Sequence, residues 1–158
     1  MDNSREASSP IIWPPIIYGS AAVICGVLSW IAGWPFETID TRMYGLVAGV
    51  IVATLGVLAL LMAGNRFNAA GTPIPPNQPT KALVFEGVYK YTRNPMYLGF
   101  TLLLAGLGLA FDQLWFVIAV PLAMFAVTKL AIEREEAYLE RKFGAEYLAY
   151  KQRVRRWI

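Results

Sequence analysis

Residues 94–128, NPMYLGFTLLLAGLGLAFDQLWFVIAVPLAMFAVT, contain one charged side chain, Asp112, in 35 positions. A hydrocarbon layer of roughly 30 Å takes about 20 apolar residues, so this run is too long for one crossing. Its polar interruption, Phe111-Asp112-Gln113, lies near the middle. The stretch therefore reads as two membrane helices, 94–111 and 113–131, folded back as a hairpin. Working outward, 11–34 and 43–64 are two further uncharged runs of crossing length, separated from the hairpin by a polar loop at 65–93 and followed by a polar helical region at 132–158. The expectation is a single domain over 1–158. Its fold class is all-α, an integral membrane helical bundle of about four transmembrane helices with a cytoplasmic C-terminal helix.

Composition agrees with a lipid environment. Hydrophobic residues make up 56% of the chain and charged ones 16%, against about a quarter charged in water-soluble domains. The first apolar run is longer than the roughly 7–15 residues of a signal-peptide core, and MDNSRE before it is net acidic, so it reads as a retained helix. With no histidine and one cysteine, Cys25, the chain lacks the means for a zinc site, haem ligation, a disulfide framework or a Ser-His-Asp triad. Acid–base chemistry falls to Asp, Glu, Tyr or Lys.

Orientation follows from the basic residues. With the N-terminus, the 65–93 loop and the C-terminal tail on one side, that side holds 13 of the 14 Lys and Arg residues and leaves Arg42 alone opposite. This side is expected to be cytoplasmic, with both termini there, in a multi-pass protein of a bacterial inner membrane. The net charge of +3 then serves anionic lipid headgroups and not nucleic acid, and KQRVRRWI with its interfacial Trp157 fits that role. Gly45, Gly49, Ala53 and Gly56 recur at spacings of four, four and three, which puts small residues on one helix face for close packing within the chain.

Two polar stretches carry candidate chemistry. In NRFNAAGTPIPPNQPTKALVFEGVYKYTRNPMYLG, four prolines and two glycines between Gly71 and Gly87 predict a rigid, irregular path. Asn94 suits a helix cap and Pro95 the first helical position, while Arg93 is either an interfacial anchor or a functional cation. In AIEREEAYLERKFGAEYLAYKQRV, Ile132, Glu136, Leu139 and Phe143 fall on one helical stripe, with Glu135 on its flank. A carboxylate on an apolar stripe is costly without a cationic partner. Glu133 and Glu140 have Lys129 and Arg141 within helical reach and read as a solvated face. Tyr147 and Tyr150 either close over the membrane mouth or sit in the interfacial belt.

Together, GVYKYTRNPMYLG and, some 35 residues later, EREEAYLERKFGAEYLAYKQRV resemble the isoprenylcysteine carboxyl methyltransferase and phospholipid methyltransferase superfamily of integral membrane enzymes. The resemblance covers Lys81 to Arg153. It implies S-adenosylmethionine as methyl donor, bound at the cytoplasmic face without a Rossmann domain, and a lipophilic acceptor that is an isoprenylcysteine-like carboxylate or a phospholipid headgroup. The cofactor residues it implies are Lys81, Ala82, Leu83, Val84, Tyr89, Asn94, Pro95, Met96, Tyr97 and Glu135. Two positions depart from the family pattern. Asn94 stands where a histidine is common, and it cannot accept a proton near pH 7; Ala131 stands where the prenylcysteine enzymes carry an arginine. Gly106-Leu107-Gly108 matches a GxG of the phospholipid branch, but within an apolar helix small-residue packing explains it better.

The mechanism expected is in-line methyl transfer from a sulfonium. Arg93 and Glu136 are the catalytic candidates: Arg93 to orient an anionic acceptor, and Glu135 or Glu136 to pair with a cationic part of the donor. A carboxylate acceptor needs no base, whereas an amine would call on Glu136 or a headgroup phosphate. The rival readings are an NADPH-dependent membrane reductase of the sterol reductase type and a non-catalytic membrane scaffold or sensor.

Overall fold

In lipid every backbone N–H and C=O must be bonded within its own segment, and the apolar runs accordingly form helices. The computed structural model describes residues 10, 13–32, 42–75 and 78–158. Among them are α1 (Pro14–Ala32), α2 (Arg42–Ala69), α3 (Pro95–Phe111), α4 (Leu114–Val127), α5 (Glu133–Phe143) and α6 (Ala145–Arg153), with a 3-10 turn at Gly87–Lys90 and a π turn at Thr128–Ile132. No strand occurs among the described residues. Arg5, the ends of the expected 11–34 run and most of the connection facing Arg42 lie outside the described residues.

Three stretches are long and apolar enough to cross a bilayer: Pro14–Ala32, Arg42–Ala69 and Leu114–Phe143. In the last, the apolar portion ends at Ile132 and charged residues follow. At 17 residues, α3 spans about 25 Å, shorter than the fourth crossing expected of it. Val23, Ile31, Leu122 and Phe125 point outward and are well exposed, as lipid-facing side chains are. The second helix also differs from expectation. It runs on to Ala69, so the loop expected from 65 begins at 70, and Asn65, Arg66 and Phe67 are carried on a rigid helical end.

The α2–α3 contact is built on missing side chains. A Cβ on Gly49 would lie 2.6 Å from the Gly106 oxygen and closer still to the Ala110 nitrogen; one on Gly56 would lie 2.7 Å from the Gly99 oxygen, and one on Gly106 would lie 2.7 Å from the Ala53 nitrogen. The small-residue stripe therefore serves packing within the chain, as expected, and Gly106 belongs to it. The Tyr18 hydroxyl joins α1 to α3 by donating to Thr101 Oγ1 at 2.8 Å, since the Thr101 hydroxyl itself donates to the Tyr97 carbonyl. The hairpin turns where expected: Asp112 takes a left-handed φ of 55° and its N–H bonds back to the Gly108 and Leu109 carbonyls.

The C-terminal region is not one helix. Gly144, at φ 53°, breaks it into α5 and α6, and after Arg153 the chain becomes extended at Val154. Residues 155–157 then fold back across the entrance to α3, where the Arg93 N–H donates to the Arg155 carbonyl at 3.0 Å. Trp157, expected at the interface, packs against the buried apolar cluster of α1, α3 and α4.

Gly49→Val should destabilise the protein by about 1–3 kcal/mol through overpacking, because the clashing atoms are backbone, and so lower its thermal unfolding temperature in detergent. Gly26→Ala, inside α1 with a Cβ that would meet nothing within 4 Å, should not lower it, since Ala suits a helix interior better than Gly.

Candidate active site

Four segments meet where α3 begins: the end of α2, the loop at 80–89, α5 and the folded-back tail. Thr72, buried just past α2, organises the loop. Its hydroxyl accepts the N–H groups of Lys81 at 2.8 Å and Ala82 at 2.9 Å and donates to the Ala82 carbonyl. The Thr80 N–H donates to the Tyr138 hydroxyl at 3.1 Å, pinning the loop to α5. Beyond it, the 3-10 turn buries Tyr89, whose carbonyl accepts the Tyr150 hydroxyl at 2.7 Å.

The π turn aims the acidic pair. The Glu133 N–H bonds to the Thr128 carbonyl five residues back, and the extra residue shifts the phase of the helix that follows, a device frequent at functional sites. Glu136 is buried and Glu135 half-buried, while Arg134 and Ala137 face out. Glu136 is surrounded by cations. Arg93 Nη1 lies 3.0 Å from Oε1; Arg156 donates to both oxygens, at 2.9 and 2.8 Å; Lys151 Nζ is 3.9 Å away. Burial alone would raise its carboxyl, but the Arg156 hydrogen bonds and the three positive charges outweigh it and hold the group below the usual carboxylate range. Glu135 is the reverse case. Burial pushes it up, against the lowering effect of the Tyr97 hydroxyl, which donates to Oε2 at 2.9 Å, and the charge of Glu136 raises it further. Among the described residues no Lys or Arg forms an ion pair with it.

Two cavities share this wall. A narrow one, of about 50 Å³, is lined by Ala82, Leu83, Val84, Leu139, Glu136, Tyr147 and Tyr150 among others. A larger apolar chamber, of about 420 Å³, lies between α1, α2 and α3 and is lined by Trp13, Leu60, Ile74, Pro95, Met96, Tyr97 and Phe100 among others. Phe67, Tyr89, Arg93, Asn94 and Glu135 line both. The residues singled out in the sequence thus divide. Ala82, Leu83, Val84 and Glu136 face the narrow cavity; Pro95, Met96 and Tyr97 face the chamber; Tyr89, Arg93, Asn94 and Glu135 stand between. Lys81 is exposed and lines an outer groove with Lys142.

Several side chains do other work than their pattern suggests. Asn94 holds the cap position of α3 but makes no side-chain cap bond; its Nδ2 donates instead to the Arg156 carbonyl at 2.9 Å, because the tail offers an acceptor there. Glu140 pairs with Lys151 across the α5–α6 corner and not with Arg141. Both Tyr147 and Tyr150 are buried, so neither lies in an interfacial belt. Arg156 and Thr72 escaped the sequence reading. Arg156 sits in a basic run that reads as headgroup-binding, and Thr72 carries no signal beyond lying between Gly71 and Pro73.

Residues 44–146, well over half of the chain, match the family described as phospholipid methyltransferase. The chain belongs to that family. Individual relatives agree. The protein-S-isoprenylcysteine O-methyltransferase of Xenopus laevis is 29% identical over 141 residues, covering 80% of this chain and 48% of that protein. Protein-S-isoprenylcysteine O-methyltransferase B of Arabidopsis thaliana is 32% identical over 111 residues, 70% of this chain and 55% of that protein. An uncharacterized protein of Haemophilus influenzae is 41% identical over 63 residues, which is 40% of this chain and all of that protein. The chain spans about half the length of the Xenopus and Arabidopsis enzymes. No solved structure matches it. The phospholipid methyltransferase match takes in nearly all of α2, all of α3 to α5 and most of the lining of both cavities, and leaves α1, most of α6 and the folded-back tail outside it.

Removing Glu136 leaves the buried Arg93 without its counter-charge and the half-buried Arg156 without its two-pronged partner, so Glu136→Gln should destabilise the protein by about 3–5 kcal/mol at neutral pH. Since its folded value is lowered, the Glu136 contribution is present above the unfolded carboxylate value and is lost as pH falls through the folded one. Thermal unfolding of wild type and variant across pH 3–7 should therefore converge at the acid end.

Proposed function

We propose that this protein is a membrane methyltransferase that moves a methyl group from S-adenosylmethionine to the carboxylate of a lipophilic acceptor, at the cytoplasmic face. The observation that carries this reading is Glu135: a half-buried carboxylate with no ion-pair partner among the described residues, on the wall between a narrow cavity and an apolar chamber. The residues present suit the donor's chemistry. Glu135 offers an anion for its positive charge, Tyr89 and Tyr150 offer aromatic faces, and the N–H groups of Leu83 and Val84 have no protein partner among the described residues. Ligand sites generally measure roughly 300–1,000 Å³, more than the narrow cavity's about 50 Å³, so the donor needs space beyond that cavity as it stands.

When bound, the donor supplies an electrophilic methyl on a sulfonium, and the residues of this chain do the rest. The chamber takes the acceptor's apolar chain, with Trp13, Leu60, Met96 and Phe100 on its walls. Arg93 holds the acceptor's anionic group where the two cavities meet, and no base is required, since a carboxylate is already nucleophilic. Glu136, engaged by two guanidinium groups, is poorly placed to take a proton, which favours a carboxylate over an amine acceptor. Alignment and exclusion of water in such a site can lower the barrier by several kcal/mol. The names of the Xenopus and Arabidopsis relatives support the same acceptor chemistry. The Lys and Arg asymmetry supports a cytoplasmic site with both termini on that side.

Calorimetric titration of the detergent-purified protein with S-adenosylhomocysteine should show binding, weakened about tenfold or more by Glu135→Ala through loss of the counter-charge. A folded wild-type protein that binds NADPH and not S-adenosylhomocysteine would move the reading to a reductase. Arg93→Ala should slow methylation of a lipophilic carboxylate far more than it weakens donor binding; the opposite split would assign Arg93 to the donor.

A further inference from the structure

Arg93 is buried, with 8% of its side chain exposed, and its Nε has no partner among the described residues. Its one ion-pair partner there, Glu136, is shared. Arg156 donates to Glu136 through Nε at 2.9 Å and Nη2 at 2.8 Å, a two-pronged pairing that satisfies both oxygens. Lys151 also faces Glu136, at 3.9 Å, but its closer partner is Glu140. Tyr147, the other group at Arg93, is a neutral hydroxyl 3.4 Å from Nη1. Counting charges, Lys151 balances Glu140 and Arg156 balances Glu136. Arg93 is left with a positive charge in surplus, on the wall between the two cavities.

We propose that Arg156 is a positioning residue for the anionic group of the acceptor: by taking Glu136, it frees the charge of Arg93 to bind a carboxylate or phosphate entering from the chamber. The inference rests on the reading of Arg93 given above and adds to it a residue outside the region that matches the family. Without Arg156, Glu136 would neutralise Arg93 and the site would lose its preference for acids. The tail also fixes Arg93 through its main chain. The Arg155 carbonyl accepts the Arg93 N–H at 3.0 Å, and the Arg156 carbonyl accepts Thr92 Oγ1 and Asn94 Nδ2 at 3.1 and 2.9 Å. A side-chain substitution leaves those carbonyls in place, so charge can be tested apart from tethering.

The test measures binding of two lipophilic acids, N-acetyl-S-farnesylcysteine and oleoyl lysophosphatidic acid, each against a neutral ester, to the full-length protein in detergent. Wild type should prefer at least one acid, and which one identifies the headgroup as carboxylate or phosphate. Arg156→Gln should cut that preference by about tenfold while leaving S-adenosylhomocysteine affinity unchanged, and Arg156→Lys should keep most of it. The deciding variant is Arg156→Gln combined with Glu136→Gln, which removes both charges of the pair and again leaves Arg93 in surplus. It should restore the preference even though it cannot restore the ion pair. The proposal is overturned if wild type prefers neither acid, if Arg156→Gln retains the preference, if Arg156→Gln loses donor affinity in parallel, or if the double variant, shown to be folded by S-adenosylhomocysteine affinity equal to wild type, fails to recover. Absence of S-adenosylhomocysteine binding in wild type would instead remove the methyltransferase reading.

Discussion

A carboxylate at the edge of an apolar bundle has to be matched by positive charge, and Glu136 is matched by side chains from two distant parts of the chain. Arg93 comes from the residue pair that opens α3 and Arg156 from the tail beyond α6, while Glu136 itself stands on α5. Each guanidinium on Glu136 offsets part of the cost of burying the others, so the three hold their segments together as a unit. The extended tail, which forms no helix or strand of its own, is held by this ion cluster and by main-chain bonds from 92–94.

The membrane bundle makes that cluster possible by fixing where α3 begins. Because Gly49, Gly56, Gly99 and Gly106 bring the α2 and α3 backbones into direct contact, the end of α2 stands close beside the start of α3. Thr72 and Tyr89, one just past the end of α2 and one just before α3, then hold the intervening loop inward. Dispersion and close approach of backbones supply this contact, since lipid gives helices no hydrophobic reason to associate. A polar site is thus built from irregular chain, supported by regular helices whose geometry leaves little freedom.

The two carboxylates of one dipeptide end in opposite states. Glu136 is saturated with cations and is held ionised; Glu135, one residue away, has a tyrosine hydroxyl and, among the described residues, no ion-pair partner. The phase shift of the π turn at Thr128–Ile132 lies behind this division, because it settles which face of α5 each residue takes. Together with the surplus charge on Arg93, the site has one unbalanced group of each sign among the described residues, between a narrow cavity and an apolar chamber. That arrangement suits the proposed joining of a cationic and an anionic reactant.

Much of this was legible in the amino-acid order. Long uncharged runs fixed helices, Asp112 marked the hairpin, the small-residue spacing marked the α2–α3 face, and a glutamate on an apolar stripe demanded a cation, because each of these depends on neighbours a few residues apart. The identity of that cation was not legible. Arg156 lies 20 positions from Glu136 in a run of basic residues that look alike in sequence, and only the return of the chain after Gly144 and Val154 selects one of them. Asn94 likewise has the residue type of a cap, and a tail carbonyl claims its side chain instead. The sequence by itself determined a helical membrane protein with a polar site at one end. Tertiary structure alone decided which charges cancel and which remain, since electrostatic partnership depends on distance in space and not along the chain.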